Sequence, residues 1–102
     1  MKLEYESEKF IRKEIMRILG RNLNLSEYRV FFFGSRVNGK SVKNSDIDVG
    51  IEGRKPLPAG VLSDIRDEIS ELPVLYKIDI VDFANVNEKF KAIAKEHIEL
   101  VN

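Results

Sequence analysis

Only residues 34–45 separate two runs that read as strands, and this short gap constrains the fold more than any other feature of the chain. Tyr28 to Phe33 is β-branched and aromatic, lies between the polar stretch Asn22 to Glu27 and Gly34, and reads as a strand buried on both faces. Asp46 to Ile51 alternates strictly. Asp46, Asp48 and Gly50 fall on one side and Ile47, Val49 and Ile51 on the other, which is the period of a second strand.

The flanks supply helices. After Ser7, a natural cap, Phe10, Ile11, Ile15, Ile18 and Leu19 recur at spacings of three and four, with Gly20 expected to stop the helix. Glu52 to Pro58 reads as a loop, and Val61, Leu62, Ile65, Ile69 and Leu72 form a second stripe that Pro73 should end. Val74 to Phe83 reads as a third strand. Phe90, Ile93, Ala94, Ile98 and Val101 then line one face of a C-terminal helix capped by Asn85 or Asn87. The expected fold is a single α+β domain over residues 1–102, a small mixed sheet of three or four strands with helices packed on it.

Composition narrows the function. A chain with 43% hydrophobic residues is no disordered tail, and 33% charged residues against a norm of about 25% predict a heavily solvated surface. Seventeen Lys plus Arg balance seventeen Asp plus Glu, so no broad positive field is available for nucleic acid or an anionic membrane. Without cysteine there is no disulfide scaffold, thiol nucleophile or zinc-thiolate site. The longest apolar run, Val30 to Phe33, falls far short of the roughly 20 residues of a spanning helix. The expected location is cytoplasmic.

The densest chemistry lies between Gly34 and Asp48. A glycine at the end of a strand lets a phosphate approach the backbone, and Ser35 after it offers amide and hydroxyl groups to phosphate oxygens if a helical turn starts there. Asp46 and Asp48, two apart on a strand, project to one face, where hard oxygen ligands at this spacing can share divalent cations. In the run Lys77-Ile78-Asp79-Ile80-Val81-Asp82, the isoleucines should face the packed helices. Asp79 then turns to the opposite face with Val81, and Asp82 stays on the isoleucine side. Asp79 is the better third ligand, because a carboxylate between isoleucines is costly to bury unpaired and a cation gives it a partner.

On these residues the chain resembles the minimal nucleotidyltransferases, the smallest members of the DNA polymerase β-like superfamily. The resemblance rests on Gly34-Ser35, ten residues, Asp46-x-Asp48 and a later strand aspartate at Asp79, and it runs from about Tyr28 to Asp82. It implies that Gly34, Ser35, Arg36 and Ser45 hold the triphosphate of ATP or another NTP. It also implies that Asp46, Asp48 and Asp79 bind two magnesium ions, with manganese as a substitute, for transfer of a nucleoside monophosphate. Where the family often has Ala and Arg, this chain has Val37 and Asn38. Arg36 and Lys40 are the basic residues left to compensate. Stand-alone members are commonly paired with a small helical HEPN protein in a toxin-antitoxin system, and they adenylylate a tyrosine of the toxin. The resemblance thus implies an antitoxin whose partner completes the nucleobase or acceptor site.

Competing readings attach to the same residues. Gly34-Ser35-Arg36-Val37-Asn38-Gly39-Lys40-Ser41 fits the P-loop formula, but a P-loop leads into a substantial helix, and Val42 to Ser45 amount to about one turn. Asn38-Gly39 is also a common turn pair. An antitoxin that has lost turnover and acts by occlusion would show a degraded carboxylate set, whereas all three carboxylates are present. His97, a lone imidazole without a nearby nucleophile, reads as packing or surface. The Phe31 to Phe33 run reads as strand core, and Lys89 to Glu96 as the solvated face of a helix.

Overall fold

The computed structural model describes residues 1, 3, 7–39 and 45–102. Ser7 begins α1 (Glu8–Asn22) by accepting a 3.1 Å hydrogen bond from the Phe10 amide through its hydroxyl, and Ile11, Ile15, Ile18 and Leu19 make its buried stripe. Gly20 does not stop the helix, because its conformation stays helical. The chain leaves at Leu23, which turns extended while its amide still bonds to the Leu19 carbonyl at 2.8 Å. One 3-10 turn (Leu25–Glu27) leads into β1 (Tyr28–Phe33), and a single helical turn, α2 (Ser35–Asn38), follows it. Beyond the 40–44 segment come β2 (Ile47–Gly53), α3 (Val61–Ser70), β3 (Ile78–Asp82), α4 (Glu88–Ala94) and β4 (Glu99–Leu100).

The sheet is four-stranded and mixed, in the order β3-β2-β1-β4. β1 runs antiparallel to both β2 and β4, whereas β2 and β3 are parallel and joined through α3. On one face α1 and α3 cover Val30, Phe32, Ile47, Val49, Ile51 and Ile80 in a large aliphatic core. On the other, Phe31, Phe33 and Phe83 form a small aromatic cluster that Ala94 and Ile98 cover in part. Gly50 belongs under this cluster, since a Cβ there would lie 2.5 Å from Phe31 and 2.7 Å from Phe83. The Phe31 to Phe33 run is core, divided by strand alternation between the two faces.

Further boundaries differ from the periodicity: β2 runs to Gly53, so Glu52 and Gly53, expected in a loop, are strand residues paired with Arg29 and Tyr28. α3 ends at Ser70, so Leu72 and Pro73 lie beyond it rather than closing it. β3 begins only at Ile78, because as an edge strand it exists only where β2 accompanies it, and β2 starts at Ile47, the register partner of Ile78. The largest difference is at the C-terminus. α4 stops at Ala94, and Ile98 and Val101 do not continue its stripe, since Glu99 and Leu100 pair with Phe32 and Phe31. The amide of Val101 donates to the Val30 carbonyl at 2.8 Å, and the side chain of Asn102 accepts from the Val30 amide at 2.9 Å. A strand as buried as β1 would otherwise leave a row of open backbone groups along this edge. Asn87, not Asn85, caps α4, through a 2.7 Å bond from the Phe90 amide.

Candidate nucleotidyl-transfer site

Gly34 is the pivot of the site. It has φ 80° and ψ −159° as it leaves β1, a conformation that disfavours any side chain, and its carbonyl accepts the Val37 amide at 3.1 Å to start α2. A Cβ at this position would overlap the Oδ2 of Asp48. The glycine therefore lets the backbone at the end of β1 pack directly against the Asp48 carboxylate.

Asp48 stands on β2 opposite Phe33 of β1 and beside Asp79 of β3. Asp79 shares its register position and its face of the sheet, while Ile78, Ile80 and Asp82 belong to the other face, as the alternation requires. Burial pushes the Asp48 carboxyl up to about 6, and the charges of Asp79 and then Asp46 add to the effect. A divalent cation would relieve all three causes at once, since it supplies the positive charge that desolvated, mutually repelling carboxylates lack. Asp46 is half-buried just ahead of β2, and Asp79 is exposed. The three acids are electrostatic neighbours and not a closed cage. Among the described residues, no three carboxylate or imidazole side chains stand together as a metal-binding group.

Arg36, expected on the triphosphate, makes contacts within the fold. It is 4% exposed, its Nε and Nη2 donate to the Ser45 carbonyl at 3.1 and 2.8 Å, and its guanidinium lies 5.1 Å from the centre of the Tyr76 ring. It thus ties α2 to the residues that enter β2 and fixes the lead into Asp46. Ser35 opens α2, and Ser45, half-buried, presents its backbone carbonyl to Arg36. Lys40 and Ser41 lie outside the described residues. The P-loop alternative does not fit, because Ser35–Asn38 is a single turn and the strand that follows is antiparallel to β1. Asp82 is a structural group. Its carboxylate accepts from the amides of Leu57 and Ala84, both at 3.0 Å, and from the Asn85 side chain at 3.1 Å.

A cavity of about 440 Å³ opens beside Asp48 and Gly34, walled by Phe33, Phe90 and Ile93 and edged by Glu96 and His97. Its α4 wall is held by Glu52, which meets Lys95 at 2.8 Å and Lys91 at 3.5 Å. His97 is at the surface but on the rim of this cavity. Neither the cavity nor the Glu52 tie was legible in the sequence, because both depend on where α4 crosses the sheet.

The family model described as polymerase beta, nucleotidyltransferase matches residues 13–102. The chain belongs to that family. It is 34% identical over 70 residues to a probable protein adenylyltransferase, MntA, of Haemophilus influenzae, an alignment that takes in 69% of this chain and 61% of the relative. The chain thus spans about three fifths of that protein's length. Among solved structures, a toxin-antitoxin complex with AMP-PNP superposes with a TM-score of 0.71 at 18% identity, over 89% of this chain and 72% of the other. A complex of tri-AMPylated Shewanella oneidensis HEPN toxin with MNT antitoxin gives a TM-score of 0.70 at 14% identity, over 94% and 72%. At such identities these two establish the common α+β fold. No helix among the described residues is long and apolar enough to cross a membrane.

Proposed function

We propose that the protein is a nucleotidyltransferase that moves AMP from ATP to a hydroxyl, and that the acceptor is a tyrosine of a helical HEPN partner for which this chain is the antitoxin. The observation that carries the proposal is the convergence of Gly34 and Asp79 on Asp48, one by contact and one by register, at the end of β1 where the chain turns. The relative named as a probable protein adenylyltransferase and the fold shared with toxin-antitoxin complexes support the same assignment. In the transfer, the acceptor oxygen bonds to the α-phosphorus, the bond from that phosphorus to the bridging oxygen breaks, and pyrophosphate leaves with the electron pair. The acceptor proton is lost to water.

The chain's residues divide this work. Gly34 keeps side-chain bulk away from Asp48, and with Ser35 it offers a place for the triphosphate. Asp46, Asp48 and Asp79 would hold magnesium, or manganese in its place. A divalent ion so held would supply charge neutralisation for the phosphates. Arg36 fixes the approach to Asp46 through the Ser45 carbonyl. Incubation with α-labelled ATP, magnesium and the partner should move label onto the partner, while a γ-label leaves with pyrophosphate. Asp48→Asn should abolish labelling and leave the complex assembled. Label that never reaches any acceptor would overturn transfer. Full neutralisation of the partner by Asp48→Asn would instead favour occlusion.

A further inference from the structure

We propose that the cavity beside Asp48 seats the purine base of the donor nucleotide against a wall built from Phe33, Phe90 and Ile93, an inference that rests on the nucleotidyl-transfer function above. Continuity is the first argument. Gly34 and Asp48, the residues assigned to phosphate and metal, line one part of the same cavity whose remainder is α4 and the turn after it. A nucleotide whose phosphates lie at Gly34 has its base within this space or in solvent.

The lining is the second argument. The volume of about 440 Å³ falls within the range of small-molecule sites, roughly 300–1,000 Å³, which are mostly apolar with a few polar groups. Phe90 and Ile93 are 41% and 59% exposed, an apolar surface that a chain with no ligand to bind there has reason to cover. Phe90 stands edge-on to Phe33, with centroids 6.1 Å apart and planes at 90°, so part of its surface is left to the cavity. A flat aromatic base is the ligand chemistry that such a wall takes up, because every base has a π-face. Glu96 and His97 at the rim give the base edge polar partners, the carboxylate accepting from an exocyclic amine. The site is thereby built for the donor within this chain. A partner would then be needed for the acceptor and not for gripping the base.

Binding of magnesium-ATP and of magnesium-tripolyphosphate to the full chain, followed by calorimetry, tests the wall. Phe90→Ala and Ile93→Ser should each weaken ATP about fivefold or more, while tripolyphosphate, which has no base, changes less than twofold. Ile93 is the more exposed of the two, so Ile93→Ser carries the test if Phe90→Ala unfolds. If both ligands bind wild type and depend on Asp48, but neither α4 substitution separates them, the wall is overturned and the transfer function stands. If the substitutions leave ATP alone and raise the KM for the acceptor, the cavity belongs to the acceptor and the inference is overturned. If wild type binds neither ligand, the nucleotide function falls and the wall with it.

Discussion

Asp48 retains its proton more tightly in the folded chain than in water, and its cause is structural: burial first, then the charges of Asp79 and Asp46. The consequence for stability has a definite sign. With a folded value of about 6 against an ordinary 3.8, the wild-type fold is unburdened below about pH 3.8, loses stability as the pH rises between the two, and carries the full cost above 6. Asp48→Asn should therefore stabilise the ligand-free protein at pH 7 by about 1 kcal/mol, the remainder of the linkage energy being screened by water at a half-exposed group. The gain should vanish near pH 3.5 in thermal melts, and millimolar magnesium should raise the midpoint of wild type more than that of the variant. A variant no more stable than wild type at pH 7 would refute the crowding of charge at this position. Gly34→Ala should cost about 1–3 kcal/mol, from its φ of 80° and from the displacement of Asp48, and should abolish label transfer. At this scale much was legible. Strand alternation alone placed Asp79 with Asp48 and Asp82 with the isoleucines. It said nothing of the tie from Arg36 to the Ser45 carbonyl, because a contact between one helical turn and the lead into a strand has no period.

Elements were legible where one face was continuously buried and obscure where pairing decided. α1 and the sheet strands β1 and β2 follow from stripes and alternation, since each packs on the large aliphatic core. β4 was hidden because Ile98 and Val101 continue the spacing of α4, and a two-residue strand has no period of its own. What selects the strand is the open edge of β1, a tertiary demand absent from the local sequence. α4 in turn depends on contacts from far along the chain. Burial would raise the Glu52 carboxyl, but the hydrogen bond and charge of Lys95 and then those of Lys91 outweigh it and hold it below its ordinary value. This tie stabilises the fold at neutral pH and weakens as the pH falls below about 4.5. Glu52→Gln should cost about 0.5–1 kcal/mol at pH 7, the scale of a partly exposed ion pair, and the cost should shrink in acid. Because α4 forms one wall of the cavity, the variant should also weaken ATP more than tripolyphosphate. Equal denaturation midpoints for variant and wild type at pH 7 would show that the lysines do not hold the helix.

The whole molecule is unequal on its two sides. Among the described residues, α1, α3 and one face of the sheet share a core of thirteen buried side chains, and the other face carries three buried phenylalanines under a helix with no fully buried residue of its own. Free energy of opening follows buried contacts, so the face that holds the site should open first. Native-state hydrogen exchange should find the amides of α1, β1 and β2 exchanging only through global unfolding. Those of α4, such as Lys91 and Lys95 bonded to the carbonyls of Asn87 and Lys91, should exchange through a smaller opening, at least about tenfold faster, or some 1.4 kcal/mol lower. Such an opening would release Phe90 and Ile93 from the cavity while leaving the register of Asp48 and Asp79 intact, because β2 and β3 belong to the other core through Ile47, Val49 and Ile80. A nucleotide seated against α4 should then raise protection there selectively when magnesium-ATP is added, and magnesium-tripolyphosphate should not. Uniform protection across α4 and the strands in the absence of ligand would mean that the aromatic cluster and the Glu52 tie make the two faces a single cooperative unit.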